Sequence, residues 1–364
     1  MLYNLFMPKK LLVGLYLGKS KAGDSVRGLG VQNSELAKAL EQVAHDDILI
    51  SEITSPKEFS KYDIVHFSVF RPFFVSLPLF KPLKTKFVLT IHDLIPLLYP
   101  DIYKPGIKGS IKFLINKILL KLYVSKIITI SETSKKDICR FLAVNPDDVV
   151  VTDLGPKASH HRLKPGKWQE ETAKRYGLKK DFVFYLGDLN YNKNIPTLVN
   201  ACKKANIQLV ITGKRAIEVE KLDLNHPEHS HLKPIVKDLV NPNIVLRTGF
   251  VDDEEVNKIM NLSLCVVQPS YYEGFGLSVI HGFASGVPVI ISKTQVLVEA
   301  ASDAALVFDP NSVDQLADCI NKLRSDKNLV KLLIKKGIER VKHFSWKRCA
   351  EETLDVYREV NNQK

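Results

Sequence analysis

Residues 262–291 constrain this chain more than any other stretch. Two apolar runs, Leu262 to Val267 and Val287 to Ile291, read as buried strands. Between them Pro269-Ser-Tyr-Tyr-Glu-Gly-Phe-Gly-Leu277 forms a glycine-containing turn that opens a short helix, which ends before Ala284-Ser-Gly-Val-Pro288. The first N–H groups of such a helix have no partner within it and sit at the positive end of its dipole. The turn therefore predicts an anion site. One carboxylate, Glu273, stands at its lip.

Strand-like and helix-like segments alternate along almost the whole chain, which predicts an α/β protein with parallel sheets. Lys10 to Leu17 reads as the first strand, Gly23 to Gly30 as a polar glycine-rich loop and Val31 to Leu40 as the helix after it. Further strands are expected at 46–51, 63–67, 86–91, 126–130 and 148–151, with helices at 107–122 and 133–142. Residues 155–168, holding Gly155, Pro156, Pro165 and Gly166 among His and Lys, read as a linker. A second series starts at Phe182 to Leu186. It continues with a helix from Asn194, strands at 207–211, 243–247, 263–267 and 287–291, a loop with a short helix over 222–240, and helical patterns at 312–324, 327–342 and 346–361. A chain of 364 residues exceeds one ordinary core, and the linker divides it into domains 1–165 and 166–345.

Five scattered cysteines, Cys139, Cys202, Cys265, Cys319 and Cys349, form no C-x-x-C pair. That suits reduced thiols in a cytosol and argues against a structural zinc or a disulfide frame. The run Leu11 to Leu17 is too short for a secretory signal and lacks a small-residue cleavage site, and no stretch approaches the ~18 apolar residues of a membrane span. A cytoplasmic location is the expectation. Charge is one-sided: residues 1–180 hold 29 Lys and Arg against 17 Asp and Glu, which is the whole of the +12 excess. Such a field implies a polyanionic partner, and without a recognisable nucleic-acid module that partner is not nucleic acid. Helix 107–122 carries Lys108, Lys112, Lys117 and Lys121 among Ile111, Leu114, Ile115, Ile118, Leu119 and Leu122. Like-charge pairs four residues apart mildly destabilise an isolated helix. They suit contact with the anionic inner face of a membrane; the alternative is an ordinary crossover helix with solvated lysines.

The twenty residues from Pro269 to Pro288 resemble the signature of retaining glycosyltransferases with two facing Rossmann-like domains, glycosyltransferase family 4, also called group 1. The resemblance implies a GT-B fold: α/β, two doubly wound domains and an interdomain cleft, with a last helix, 346–364, that packs back on the first domain. It implies that Gly274, Phe275, Gly276 and Leu277 hold the diphosphate of a nucleotide-sugar and that Glu273 acts at the sugar. Phe184-Tyr-Leu-Gly-Asp-Leu-Asn-Tyr-Asn-Lys-Asn194 resembles the family's strand followed by Gly-Arg and, five residues on, Lys. Lys193 matches that Lys, which grips the diphosphate. Asp188 stands in place of the Arg; it either faces away, binds a sugar hydroxyl, or is a turn residue without donor contact. The family's second Glu, eight residues after the first, is here His281. A neutral His offers one donor and one acceptor to the ribose where Glu accepts from both hydroxyls; alternatively His281 packs its helix.

Leu89-Thr-Ile-His-Asp-Leu-Ile-Pro-Leu-Leu-Tyr-Pro100 resembles the family's first-domain loop. The resemblance places His92 against the donor sugar and the reacting centre, with Asp93 orienting it or binding acceptor. Gly28-Leu-Gly30 is similar to the family's Gly-Ile-Gly phosphate loop. Ile128-Thr-Ile-Ser-Glu-Thr-Ser134 resembles its strand ending in Ser-Glu, which puts Ser131 and Glu132 on the acceptor side. Thr212, Gly213 and Lys214 follow a strand toward the same cleft, Lys214 as an extra phosphate contact. Thr248-Gly-Phe-Val251 resembles the loop that cradles the base, with Phe250 at its centre.

The implied reaction moves a hexose from a nucleotide-diphosphate sugar to a hydroxyl, with retention, and with Lys193, Glu273 and His92 as catalytic residues. No metal or other cofactor is implied, and no His, Cys or carboxylate cluster at ligand spacing is evident. His-Asp-Leu-Ile-Pro resembles members that transfer mannose, so GDP-mannose is the first donor expected and a UDP-sugar the second. Lipid-linked or polysaccharide acceptors fit the basic first half, as does peripheral attachment to the inner face of a membrane. Two alternatives stay open: a sugar-nucleotide epimerase of the same architecture, and an inactive relative that only binds.

Overall fold

The computed structural model describes residues 10–17, 28–44 and 47–363, without the side chains of residues 28, 29, 31, 214 and 215. The chain forms two compact units, the first made of residues 1–100, 104–155 and 345–364, the second of 101–103 and 156–344.

In the first unit six strands are formed by Leu11–Tyr16 (β1), Ile48–Ile53 (β2), Ile64–Phe67 (β3), Lys86–Thr90 (β4), Val124–Thr129 (β5) and Val149–Val151 (β6). They make one all-parallel sheet in the order β2-β1-β3-β4-β5-β6. The helices between them are Gly28–Val43 (α1), Ile95–Leu98 (α2), Gly106–Tyr123 (α3) and Glu132–Leu142 (α4). Successive side chains on a strand point to opposite faces. Val13, Ile64, Val88 and Ile128 accordingly enter one core, and Val65, Phe67, Phe87, Leu89 and Ile127 the other. Burial on both faces explains why these strands read as unbroken apolar runs.

The second unit repeats the plan. Its strands are Phe182–Leu186 (β7), Gln208–Thr212 (β8), Val245–Gly249 (β9), Cys265–Gln268 (β10), Val289–Ser292 (β11) and Leu306–Phe308 (β12), parallel in the order β12-β11-β10-β7-β8-β9. Its helices are Trp168–Tyr176 (α5), Ile195–Lys204 (α6), Val236–Leu239 (α7), Asp253–Leu262 (α8), Leu277–Ala284 (α9), Gln295–Ala301 (α10), Val313–Ser325 (α11) and Lys327–Val341 (α12). The chain winds outward from β7 through β8 to β9, then returns to the other side of β7 with β10. The strand order therefore reverses between β7 and β10, and the crevice at their carboxyl ends is where an open α/β sheet binds ligand.

A last helix, Trp346–Asn362 (α13), belongs to the first unit. Ala350, Leu354, Tyr357 and Val360 on one face join Val13, Leu40 and Val88 in the core. The Tyr357 hydroxyl lies 2.6 Å from His66 Nδ1 on β3, and His66 Nε2 lies 2.7 Å from Thr90 Oγ1 on β4. Burial drives His66 down to about 3, so the ring is neutral and offers one donor and one acceptor to the two hydroxyls. Lys86 Nζ donates to the Val360 carbonyl at 2.9 Å.

Some expectations shift. Helix α1 begins at Gly28, so Gly28 and Gly30 lie in its first turn and not in a loop; residues 18–27, with most of the expected glycine loop, lie outside the described residues. Residues 156–165 belong to the second unit and are not a loose linker. The His161 and Leu163 N–H groups donate to Asn257 Oδ1 (3.3 Å) and Asn261 Oδ1 (2.9 Å) on α8. The Lys157 ammonium, 2.6 Å from Asp253 Oδ2, ties the same segment down. No helix among the described residues is long and apolar enough to cross a membrane.

Candidate active site

Two loops meet at the carboxyl ends of β7 and β10. The loop after β7 turns at Gly187, where the backbone runs against the end of β8. A Cβ at Gly213 would lie 2.3 Å from the Gly187 carbonyl oxygen, so only glycine fits there. The chain then makes a 3-10 turn over Tyr191–Lys193, and Asn194, left-handed at φ 52, opens α6. Asn tolerates that conformation better than other non-glycine residues. The Asn194 amide donates to the Pro269 (3.1 Å) and Pro310 (2.7 Å) carbonyls, and Asn192 donates to the Tyr272 carbonyl at 2.9 Å. The Tyr271 N–H returns a bond to the Asn192 carbonyl at 2.8 Å. Backbone and amide bonds thus lock the β7 loop to the β10 loop.

The charged groups follow from that lock. Lys193 Nζ lies 2.7 Å from both carboxylate oxygens of Glu273. Glu273 Oε1 also accepts from Gln268 Nε2 at 2.6 Å and Ser270 Oγ at 2.5 Å. The Gln268 amide is fixed in turn, because its oxygen accepts from Ser278 Oγ at 2.6 Å. Ser278 is in the first turn of α9, so one hydrogen-bonded chain joins Lys193, Glu273, Gln268 and the helix start. Gly276 begins that helix at φ +107, a conformation side chains rarely adopt, and a Cβ there would press on Leu297 Cδ2 at 3.0 Å. The α9 N–H groups left without helix partners supply a positive spot at the end of this hydrogen-bonded chain, which begins at the Lys193 ammonium. This arrangement can hold a diphosphate: a point cation, oriented N–H groups and a carboxylate that keeps the cation in place.

Gly274, Phe275 and Gly276 are buried beside Glu273, and Leu277 is half-buried. The Phe275 ring packs edge-on to Phe344 at 5.6 Å, so its backbone and not its ring is available to a ligand. Asp188 is half-buried, and its carbonyl accepts from the Tyr185 hydroxyl at 2.8 Å. Thr212 pairs its hydroxyl with Thr248 at 2.9 Å across β8 and β9, while Phe250 just beyond β9 is exposed. The Lys214 side chain lies outside the described residues.

His281 sits inside α9's buried face. Its ring stacks on His160 at 3.9 Å between centroids, and its Nε2 accepts the Lys157 N–H at 3.3 Å. Nε2 is therefore the acceptor and Nδ1 carries the proton. Nδ1 is buried without a protein partner. Burial, and then His160 and Lys157, hold the ring well below its ordinary pKa, so it stays neutral.

In the first unit His92 follows β4 and Ser131 follows β5, at the same end of adjacent strands. The His92 carbonyl accepts from Ser134 Oγ at 3.0 Å, and the ring is buried, which lowers it to about 4 and keeps it neutral. Asp93 Oδ1 accepts the Ile95 N–H at 3.1 Å, a local turn that leads the chain into α2. Ser131 is buried and caps α4 by accepting the Ser134 N–H at 3.0 Å. That local duty explains a serine at this place without an acceptor. Glu132, in the first turn of α4, is exposed.

Sequence reasoning named Lys193 and Glu273 but missed Asn192, Asn194, Gln268, Ser270 and Ser278. Asn on both sides of Lys193, and a Gln closing an otherwise apolar strand, were the available signals.

Two parallel doubly wound units, with a cation, a carboxylate and a helix start at the strand-order reversal of the second, define a two-domain α/β protein of the GT-B type. Among solved structures, sucrose-phosphate synthase from Thermosynechococcus elongatus matches with a TM-score of 0.71 at 18% identity, covering 96% of this chain and 99% of that one. Anabaena HepE, solved with UDP and glucose, matches with a TM-score of 0.69 at 15% identity, over 96% of this chain and 100% of that one. The family description "Glycosyl transferases group 1" fits residues 167–340 and "Glycosyltransferase Family 4" residues 49–155. The O-antigen chain mannosyltransferase B of Escherichia coli is 27% identical over 278 residues, 74% of this chain and 70% of that one. The chain belongs to the group 1 glycosyltransferases and is a transferase enzyme.

Proposed function

We propose that this enzyme transfers mannose from GDP-mannose to a hydroxyl of a lipid-linked or polysaccharide acceptor, with retention at the anomeric carbon. The observation that carries the donor class is the Lys193–Glu273 pair beside the α9 start, at the point where the second sheet binds ligand. Lys193 uses two of its three donors on Glu273, and the third reaches a phosphate oxygen. The α9 N–H groups take the remaining charge, as preorganised stabilisation of the leaving diphosphate. That diphosphate then helps take the acceptor proton on the face it leaves from. His281 Nδ1–H donates to a ribose hydroxyl, and the exposed Phe250 ring supports the base. Mannose draws on the likeness to the Escherichia coli mannosyltransferase; HepE, solved with UDP and glucose, keeps UDP-sugars as the second choice.

Thermal shift with GDP, GDP-mannose, UDP and UDP-glucose tests this, since a ligand stabilises the state it binds. GDP and GDP-mannose are expected to raise Tm more than the uridine pair. Equal indifference to all four would remove the nucleotide-sugar reading.

A further inference from the structure

Helix α3 shows two opposite faces. Gly109, Asn116, Leu119 and Leu120 are buried. On the other side Ile107, Ile111, Leu114, Ile118 and Leu122 are all at least half exposed. At about 100° per residue these five form one stripe roughly 80° wide. Lys108 and Lys112 flank it on one side, Lys117 and Lys121 on the other.

A second set of apolar side chains adjoins it. Phe74, Val75, Leu79, Phe80 and Leu83, on the segment between β3 and β4, are exposed, Leu83 completely. This segment is held in a fixed shape. Fully buried Asn116 of α3 donates to the Phe74 (2.6 Å), Pro72 (3.1 Å) and Arg71 (3.3 Å) carbonyls and accepts the Ser76 N–H at 3.0 Å. At the far end the Tyr123 hydroxyl donates to the Leu79 carbonyl at 2.9 Å. Lys112 Nζ sits 5.4 Å over the Phe74 ring, which joins the two sets. A buried polar staple thus holds the two exposed apolar sets in fixed positions on α3 and the segment tied to it. Large exposed apolar patches on a soluble fold mark interaction sites.

Charge decides the partner. From Ile64 to His92, and from Ile102 to Ser131, the sequence contains no Asp or Glu. The surface carries Arg71, Lys81, Lys84 and the four α3 lysines around its apolar centre. A second copy would set two such cationic rims against each other. A lipid surface with anionic headgroups satisfies both features, since apolar side chains enter the headgroup boundary while lysines meet phosphates.

We propose that α3 and the 70–85 segment together form a docking surface for an anionic bilayer, in which the exposed apolar side chains insert and the lysines rim them. The proposal adds insertion to lysine contact, and it does not rest on the donor assigned above.

The test is sedimentation of the full chain with phosphatidylglycerol–phosphatidylcholine vesicles and with phosphatidylcholine vesicles. One variant carries Ile111→Ser, Leu114→Ser and Ile118→Ser, a second Phe80→Ser and Leu83→Ser, a third Lys108→Gln, Lys112→Gln, Lys117→Gln and Lys121→Gln. All positions lie on the solvent side, and Tm with the GDP-mannose shift is read on the same samples, so loss of docking is separated from loss of fold or donor site. Wild type is expected to bind the anionic vesicles at least tenfold better than the zwitterionic ones, and each variant to lose at least about tenfold. Three results overturn the proposal: no vesicle binding by wild type; wild-type binding by the two serine variants, which would leave lysine contact alone; or a wild-type oligomer that the serine variants dissociate without changing vesicle affinity.

Discussion

Lys193 and Glu273 are 80 residues apart in sequence, and the lysine ammonium lies 2.7 Å from both oxygens of the carboxylate. The pair joins the two loops that leave β7 and β10. Glu273 therefore aims the only cation that this stretch supplies, since Asp188 stands where a second would be.

Lys193→Ala should reduce turnover at least about a hundredfold, roughly 3 kcal/mol of transition-state stabilisation. The check is single-turnover transfer at saturating donor. A variant with near-normal turnover would take Lys193 out of the site.

Glu273→Gln should cost both turnover and stability. A glutamine brings an NH2 group toward the Lys193, Gln268 and Ser270 donors, so at least one buried contact becomes donor against donor. About 1–3 kcal/mol of stability is expected to go with it. The loop position of Glu273 in sequence suggests a harmless substitution for the fold; burial and four short contacts in the structure say otherwise. Unfolding midpoints and turnover, measured on one preparation, should fall together; an unchanged midpoint contradicts the network.

His281→Phe keeps a ring against His160 and removes the Nδ1 donor. Nucleotide diphosphate affinity should weaken about fivefold if Nδ1–H binds ribose. Wild-type affinity should not vary through His281 between pH 6 and 8, because the folded ring is held well below its ordinary value and stays neutral there. Calorimetric titration at several pH values decides this. An unchanged Kd for a folded variant ends the ribose assignment, leaving His281 to pack α9.

Acid should destabilise the protein early. Burial lowers His66 to about 3 and His92 and His160 to about 4. Their folded values lie below the ordinary value of about 6.5, so the unfolded chain takes up the protons first. The stability from keeping these rings neutral is complete above about pH 6.5 and is lost as pH falls toward 4, at about 2 kcal/mol per ring by pH 5. Tm should drop steeply from pH 6.5 to 5, and less steeply in His160→Phe. A Tm independent of pH over that range would contradict the neutral assignment.

Periodicity alone located eleven of the twelve strands described in the two sheets and the long helices to within a few residues, as with Phe182–Leu186 and 327–342 against Lys327–Val341. Apolar runs buried on both faces are legible because every residue in them must be apolar. The three residues of β12, Leu306–Phe308, and the seven of α10, Gln295–Ala301, are too short to show a period and exist only through their neighbours. The His and Lys of residues 156–165 looked like a solvated linker, but Asn257 and Asn261 on α8 take up their backbone groups.

The sequence by itself determined the α/β class, the group 1 signature and the identity of Lys193 and Glu273, because each rests on spacing within a few consecutive residues. Only the tertiary structure decided which groups those residues meet. Glu273 is tied to Gln268 and Ser270, His281 is turned onto His160, and Tyr357 reaches His66 across 291 residues. It also decided that the stripe from Ile107 to Leu122 faces solvent, where an amphipathic pattern alone would bury it. The physical reason is common to all of these. Local pattern sets which conformation a segment adopts, whereas partners, burial and protonation depend on what the rest of the chain brings within hydrogen-bond reach.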